Sequence, residues 1–178
     1  MDGKIYTTKP EASTREVKEM AVYELLEKLN IPYERLDHEA AATIADCQDI
    51  DEKLGIELCK NLFLCNEKKT KFYLLLMPGN KKFQTKELAK QINSGRLSFA
   101  RADAMEKYLG ITPGAVSVMG LMNDHENKVA VLIDEDVYNE KYIGCHPCVN
   151  TTSLKLRMDD VLTGFLKHTG HSYIVVRL

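Results

Sequence analysis

The order of patterned segments in this chain predicts an α+β fold: a mixed, partly antiparallel sheet flanked by helices within a single domain. Three observations predict it. Two apolar runs, "ELCKNLFLCN" and "KFYLLLMPG", are joined by the short charged turn "EKKT", which reads as a hairpin. Strand-like and helix-like segments do not alternate regularly, which favours a mixed sheet over a doubly wound parallel one. At 178 residues the chain suits one domain with a sizeable core.

Taken in order, residues 1–14 are polar and without period, and are expected to form a loose arm; the domain proper is expected over residues 15–178. A helix follows in "STREVKEMAVYELLEKLN", with Ser13 and Thr14 as cap candidates. Val17, Met20, Ala21, Leu25 and Leu29 supply its expected buried stripe. Pro32 makes "IPYERLDH" extended, because proline disfavours helix at the residue before it. "ATIADCQDIDEKLG" reads as a helix up to Gly55, and the hairpin comes next. "TKELAKQIN" is expected to be a helix capped by Thr85, "LSFA" a brief strand, and "RADAMEKYLG" a helix closed by Gly110. "ITPGAVSVMGLMND" is loop-rich, punctuated by Pro113, Gly114, Gly120 and Asn123. "KVAVLIDEDV" is a buried strand, and "DEDVYNE" after it a helix start. "YIGCHPC" and "SLKLR" are further strands, "MDDVLTGFLKHTG" a helix and "SYIVVRL" a last strand. No repeat, low-complexity segment or linker interrupts this order.

Composition narrows the function classes. A net charge of −2 draws no polyanion globally, so a nucleic acid must be met by a local basic patch. No apolar run approaches bilayer length, and no membrane partner is expected. The polar N-terminus lacks the apolar centre of a secretory signal, so the expected location is cytoplasmic. Five cysteines form no secreted disulfide pattern, and reduced thiols are the default.

Several residues stand out chemically. On a strand, Lys60 shares a face with Leu58, Leu62 and Leu64; such an ammonium either snorkels to water or is aimed at an anion. "GITPGAVSVMGL" is either a plain Pro-Gly turn or a loop whose amides approach a ligand. "YIGCHPCVNTT" places His146 inside a Cys-x-x-Cys frame beside Asn150 and Thr151. A redox dithiol wants a helix N-terminus, and none follows at once. A structural zinc site wants a second ligand pair, which Cys47, Cys59 and Cys65 do not make; no metal or other cofactor is expected. The remaining reading is a polar pocket wall centred on His146. Triad orderings, phosphate loops and dinucleotide fingerprints are absent. The basic run "NKKFQTKELAK", with Arg96 and Arg101 beyond it, is a solvated face or a phosphate-contacting patch.

The segments "CKNLFL", "FYLLLMPGNKKFQTKELAKQI", "RLSFARADAMEKYLGITPGAVSVMGLMND", "VAVLIDEDV" and "GCHPCVNTTSLKL", in that order, resemble the family of YbaK and prolyl-tRNA synthetase editing domains, and among them the free-standing ProX- or PrdX-like deacylases. The resemblance spans about residues 17–178. It implies the editing-domain fold and hydrolysis in trans of a mischarged tRNA(Pro), with alanyl-tRNA(Pro) the preferred substrate and cysteinyl-tRNA(Pro) the alternative. Transfer RNA is the implied partner, with prolyl-tRNA synthetase a further one. Lys60, Gly114 and His146 fall on the family's catalytic positions, Lys60 to meet the terminal nucleotide's phosphate. Ala115, Val116 and Ser117 of the loop, with Asn150 and Thr151, fall on the substrate side. The family's Gly-x-x-x-Pro loop ends here in Val118 rather than proline, which predicts a freer backbone. A non-catalytic RNA- or partner-binding module is the rival reading, and a dithiol oxidoreductase using Cys145 and Cys148 a third.

Overall fold

The hairpin pattern is realised as β3 (Cys59–Asn66) and β4 (Phe72–Pro78), paired antiparallel from Cys59↔Pro78 to Cys65↔Phe72. The computed structural model describes residues 3–40 and 44–178. β5 (Leu97–Phe99) pairs antiparallel with β3, while β6 (Val129–Asp134) and β9 (Tyr173–Val176) continue from β4 in parallel. The resulting sheet has the order β5-β3-β4-β6-β9. Its centre is covered on both faces, which is why "YLLLM" and "VLI" read as unbroken apolar runs instead of alternating. One face carries Phe63, Leu74 and Val131 against α1 (Val17–Lys28) and α4 (Ala102–Leu109). The other carries Leu64, Leu75 and Met77 against Leu88 of α3 (Thr85–Gln91). Each fully buried leucine here contributes about 1.5–3 kcal/mol of transfer free energy.

A second, smaller sheet is antiparallel throughout. β1 (Ile5–Tyr6), β2 (Tyr33–Asp37), β8 (Thr152–Arg157) and β7 (Tyr142–Cys145) lie side by side in that order. α2 (Ile44–Leu54) packs Ile50 and Leu54 on Leu36 of this sheet. A single parallel bridge, Leu58↔Gly144, brings the start of β3 to β7 and so joins the two sheets. Gly144 is required there: a Cβ on it would stand 2.4 Å from Cδ2 of Leu58. The fold is therefore the expected mixed one, built as two sheets rather than one.

Several local expectations change. The stretch read as a loose arm contributes β1, with Ile5 opposite Leu36 and Tyr6 opposite Arg35. In α1 the buried face is Glu19, Met20, Val22, Tyr23 and Leu26, while Val17 is 87% exposed. The face is turned because Glu19, a charged residue, finds partners inside. Residues Ala12–Thr14 form a 3-10 turn, so Glu16 rather than Ser13 or Thr14 stands at the N-cap of α1. Gln84 takes the cap position before α3, and Thr85 is its first helical residue. Gly110 closes α4 in the left-handed conformation, as expected of a glycine there. The helix start in "DEDVYNE" is α5 (Glu135–Tyr138), whose N-cap Asp134 accepts from the amide of Asp136. The last helical run is α6 (Met158–Asp160), a π-helical turn (Val161–Phe165) and α7 (Leu166–Thr169). Ala42 and Thr43, the expected start of α2, lie outside the described residues.

Candidate active site

The seam between the sheets opens as a cleft of about 300 Å³. β3 supplies Cys59, Lys60 and Asn61, the loop before the next 3-10 turn supplies Gly114 and Val116, and β7 and its exit supply Gly144, Cys145 and His146. Lys60, Gly114, Val116 and His146 thus meet although 86 positions separate the first from the last. Ala115, Ser117, Asn150 and Thr151 do not line the cleft. Ala115 is packed in the core. Asn150 is exposed at the edge, its Nδ2 3.8 Å from where a Cβ on Gly114 would lie. The carbonyl of Thr151 accepts from the amide of His38.

The loop is held open by its own geometry. Gly114 has φ +92°, a conformation in which an L side chain is strained. The amides of Gly114 and Val116 donate to nothing among the described residues, so both are free to meet a ligand in the cleft. Ser117 fixes the far end: its hydroxyl donates to the carbonyl of His146 and accepts from the amide of Met119 at 3.2 Å. Val118 is not a loosened proline position. It is fully buried, and its amide donates to Oδ1 of Asn61 at 3.0 Å, a bond proline cannot make. The freer backbone expected of Val118 is therefore not found; a hydrogen bond does the tying.

Lys60 reaches past its apolar face, and its ammonium donates to the backbone carbonyl of Lys81 at 2.7 Å. Among the described residues no carboxylate lies within ion-pair distance of it, whereas the Lys81 ammonium is shared between Asp134 and Asp136 at 2.9 and 2.8 Å. His146 is oriented by its Nδ1, which donates to the carbonyl of Thr152 at 2.8 Å; in the neutral ring this leaves Nε2 as an acceptor. Burial pushes its pKa below the ordinary histidine value; the Thr152 carbonyl pulls the other way, and nearby His38 adds to the lowering. His38 is held similarly, donating from Nδ1 to the Glu39 carbonyl and accepting at Nε2 from Ser153.

Behind His146 lies a buried polar network. Arg15 and Arg35 both bond Oδ2 of Asp37, and Arg15, Tyr23 and Thr152 all reach Oε1 of Glu19. Burial alone would raise the Asp37 carboxyl, yet the two arginines hold it below its usual range. For Glu19 burial wins over Arg15, and its pKa is raised. The network positions Thr152, whose carbonyl orients His146.

Cys145 and Cys148 lack the surroundings of a redox dithiol. Cys145 ends β7, and Cys148 lies in the turn after it with φ 63°, neither at a helix N-terminus. Burial pushes Cys59 and Cys148 up to about 12 and raises Cys145 further, which removes the thiolate a dithiol needs. His171, which is buried, pairs with Asp124 47 positions earlier, and Asp124 also accepts from the amide of Val129.

Asn61, His38, Thr152 and Ser153 are the residues that sequence reasoning passed over. Asn61 had a signal: it is the one polar side chain on the β3 face of Cys59, Phe63 and Cys65.

A mixed two-sheet domain with this seam cleft has a known class. Residues 38–163 match the model of the aminoacyl-tRNA editing domain, and the chain belongs to that family. It is 33% identical over 158 residues to the prolyl-tRNA editing protein ProX of Acetoanaerobium sticklandii, covering 89% of this chain and 96% of that protein. It is 30% identical over 162 residues to prolyl-tRNA synthetase associated domain-containing protein 1 of Bos taurus, covering 88% and 92%. A crystal structure described as a proposed trans-editing enzyme for prolyl tRNA synthetase shares the fold, with TM-score 0.66 over 92% of this chain and 99% of that one at 15% identity.

Proposed function

We propose that the protein is a free-standing deacylase that hydrolyses the aminoacyl ester of mischarged tRNA(Pro), with alanyl-tRNA(Pro) its preferred substrate. The observation that carries this reading is the convergence of a lysine with no ion-pair partner among the described residues, two unused loop amides and a carbonyl-oriented histidine on one small cleft, within a chain of the editing family. The ester is already activated, so a positioned water suffices as nucleophile and no triad is needed. Water adds to the ester carbonyl, and the amides of Gly114 and Val116 receive the developing oxyanion. The carbon–oxygen bond to the ribose then breaks, and the ribose oxygen takes up a proton. Lys60 holds the phosphate of the terminal nucleotide, and His146 with Val116 bounds the amino-acid side. Asn150, at the edge beside Gly114, faces the incoming substrate, while Ala115, Ser117 and Thr151 act through the backbone they hold.

Size is the selective principle. A synthetase pocket built for proline gains only about 1–3 kcal/mol against a smaller competitor, so a second site that admits only small side chains completes the discrimination. A tRNA substrate supports a cytoplasmic location, with prolyl-tRNA synthetase as the source of the mischarged tRNA. The test is release of labelled amino acid from Ala-, Cys-, Ser- and Pro-tRNA(Pro). Loss of alanine with proline spared supports the reading. Preferred loss of cysteine reassigns the substrate, and no release from any of them makes the protein a binding module.

A further inference from the structure

Phe99 is 62% exposed on the edge strand β5, an unusual place for a large apolar ring. It does not stand alone. Phe83, half-buried against the core under α3, meets it edge to face with ring centroids 6.1 Å apart. The chain and the strand register link the pair to the cleft by two short routes. Lys60 lines the cleft and bonds the carbonyl of Lys81, and Phe83 follows two residues later. By the other route, Phe99 is paired with Leu64, four residues along β3 from Lys60, which is about 13 Å at the rise of a strand. Lys82 and Lys86 flank Phe83 in the chain; both are exposed and have no ion-pair partner among the described residues.

We infer that Phe83 and Phe99 form a stacking platform for the unpaired bases at the 3′ end of the tRNA, one step outside the cleft. The ligand rests on the deacylase reading: an ester seated beside Lys60 must be followed by single-stranded nucleotides, and these leave the cleft over its rim. At about 3.4 Å per stacked nucleotide, the distance from Lys60 to Phe99 is filled by a few of them. The exposed Phe99 ring, backed by Phe83, accepts any base by its π-face, and the lysines alongside meet the phosphates. This gives the acidic chain its local nucleic-acid surface. The exposed Lys82 and Lys86 near Phe83 in the chain favour a polyanion over a second copy of the chain as the occupant.

The test is fluorescence anisotropy with an uncharged, labelled RNA oligonucleotide ending in CCA, titrated with wild type, Phe99→Ala and Phe99→Trp at fixed ionic strength. Phe99→Ala is expected to weaken binding about ten-fold, and Phe99→Trp, which keeps a ring face, to restore it. Circular dichroism superimposable on wild type establishes that the alanine variant is folded. Equal affinities for all three proteins overturn the platform, as does a wild-type dimer that Phe99→Ala converts to monomer. Phe99-dependent RNA binding without release of any amino acid leaves the platform standing and removes the deacylase. Hydrolysis with the same KM for alanyl-tRNA(Pro) in wild type and Phe99→Ala removes the platform and leaves the deacylase.

Discussion

The two sheets meet at one cleft but are stabilised in different ways. In the larger sheet β4 and β6 are apolar on both faces up to the buried Asp134, and the polar residues of this sheet that line the cleft are Lys60 and Asn61 at the start of β3. The smaller sheet holds a charged network in its interior, with Arg35 5%, Glu19 2% and Thr152 0% exposed. The larger sheet supplies a rigid edge from which a charge projects. The smaller supplies a polar backing that sets one histidine's tautomer and angle. A hydrolytic site needs both, because an oriented hydrogen bond requires satisfied partners behind it and a framework that does not yield.

The largest expected effect is on the smaller sheet. Asp37→Ala leaves Arg15 and Arg35 without their shared carboxylate and is expected to cost about 3–5 kcal/mol in urea unfolding. A loss no greater than that of an exposed substitution would erase the contrast. Next, Lys60→Ala is expected to lower hydrolysis of alanyl-tRNA(Pro) by about 100-fold while costing no more than about 1 kcal/mol of stability, since only one hydrogen bond is removed. Retained turnover removes Lys60 from the mechanism.

Val118→Pro strips Asn61 of its donor at the seam and is expected to destabilise by about 1–3 kcal/mol, read from the same urea curves. An unchanged midpoint would show that the loop is held by Ser117 alone. His146→Ala is expected to lower kcat/KM about ten-fold, or ~1.4 kcal/mol, and to widen the choice of amino acid. Unchanged kinetics and selectivity would make it a structural histidine.

The smallest effect is a pH dependence. The folded-state pKa of Asp37 lies below its ordinary 3.8, so its stabilisation is complete above that value and is lost as pH falls through the folded value. Asp37→Asn is therefore expected to flatten the acid limb of stability below about pH 4. A wild-type and variant limb of equal slope would place the acid sensitivity elsewhere.

Much of the fold was legible in the chain. The hairpin with its charged turn, the helix closed by Gly110 and the buried strand "VLI" are set by near neighbours and by periods of 2 and 3.6, which a sequence displays directly. Lys60 was legible as a charge on an apolar face, and His146 as a histidine beside polar side chains. Glu19 was not, because its burial depends on Arg15, Tyr23 and Thr152, and Thr152 lies 133 positions away. β1 was not either, since a strand of two residues is defined by its partner β2 and has no pattern of its own.

The sequence by itself thus determined most of the elements, the mixed character of the fold and the residue types able to do the chemistry. Only the tertiary structure decided that Lys60 rests on Lys81, that Val118 ties the loop to Asn61, and that the Thr152 carbonyl orients His146 at the cleft. The physical reason is the range of the interactions. Backbone propensity acts over a few residues, whereas hydrogen-bond direction and desolvation are settled only when distant segments close around a polar group and leave it one partner.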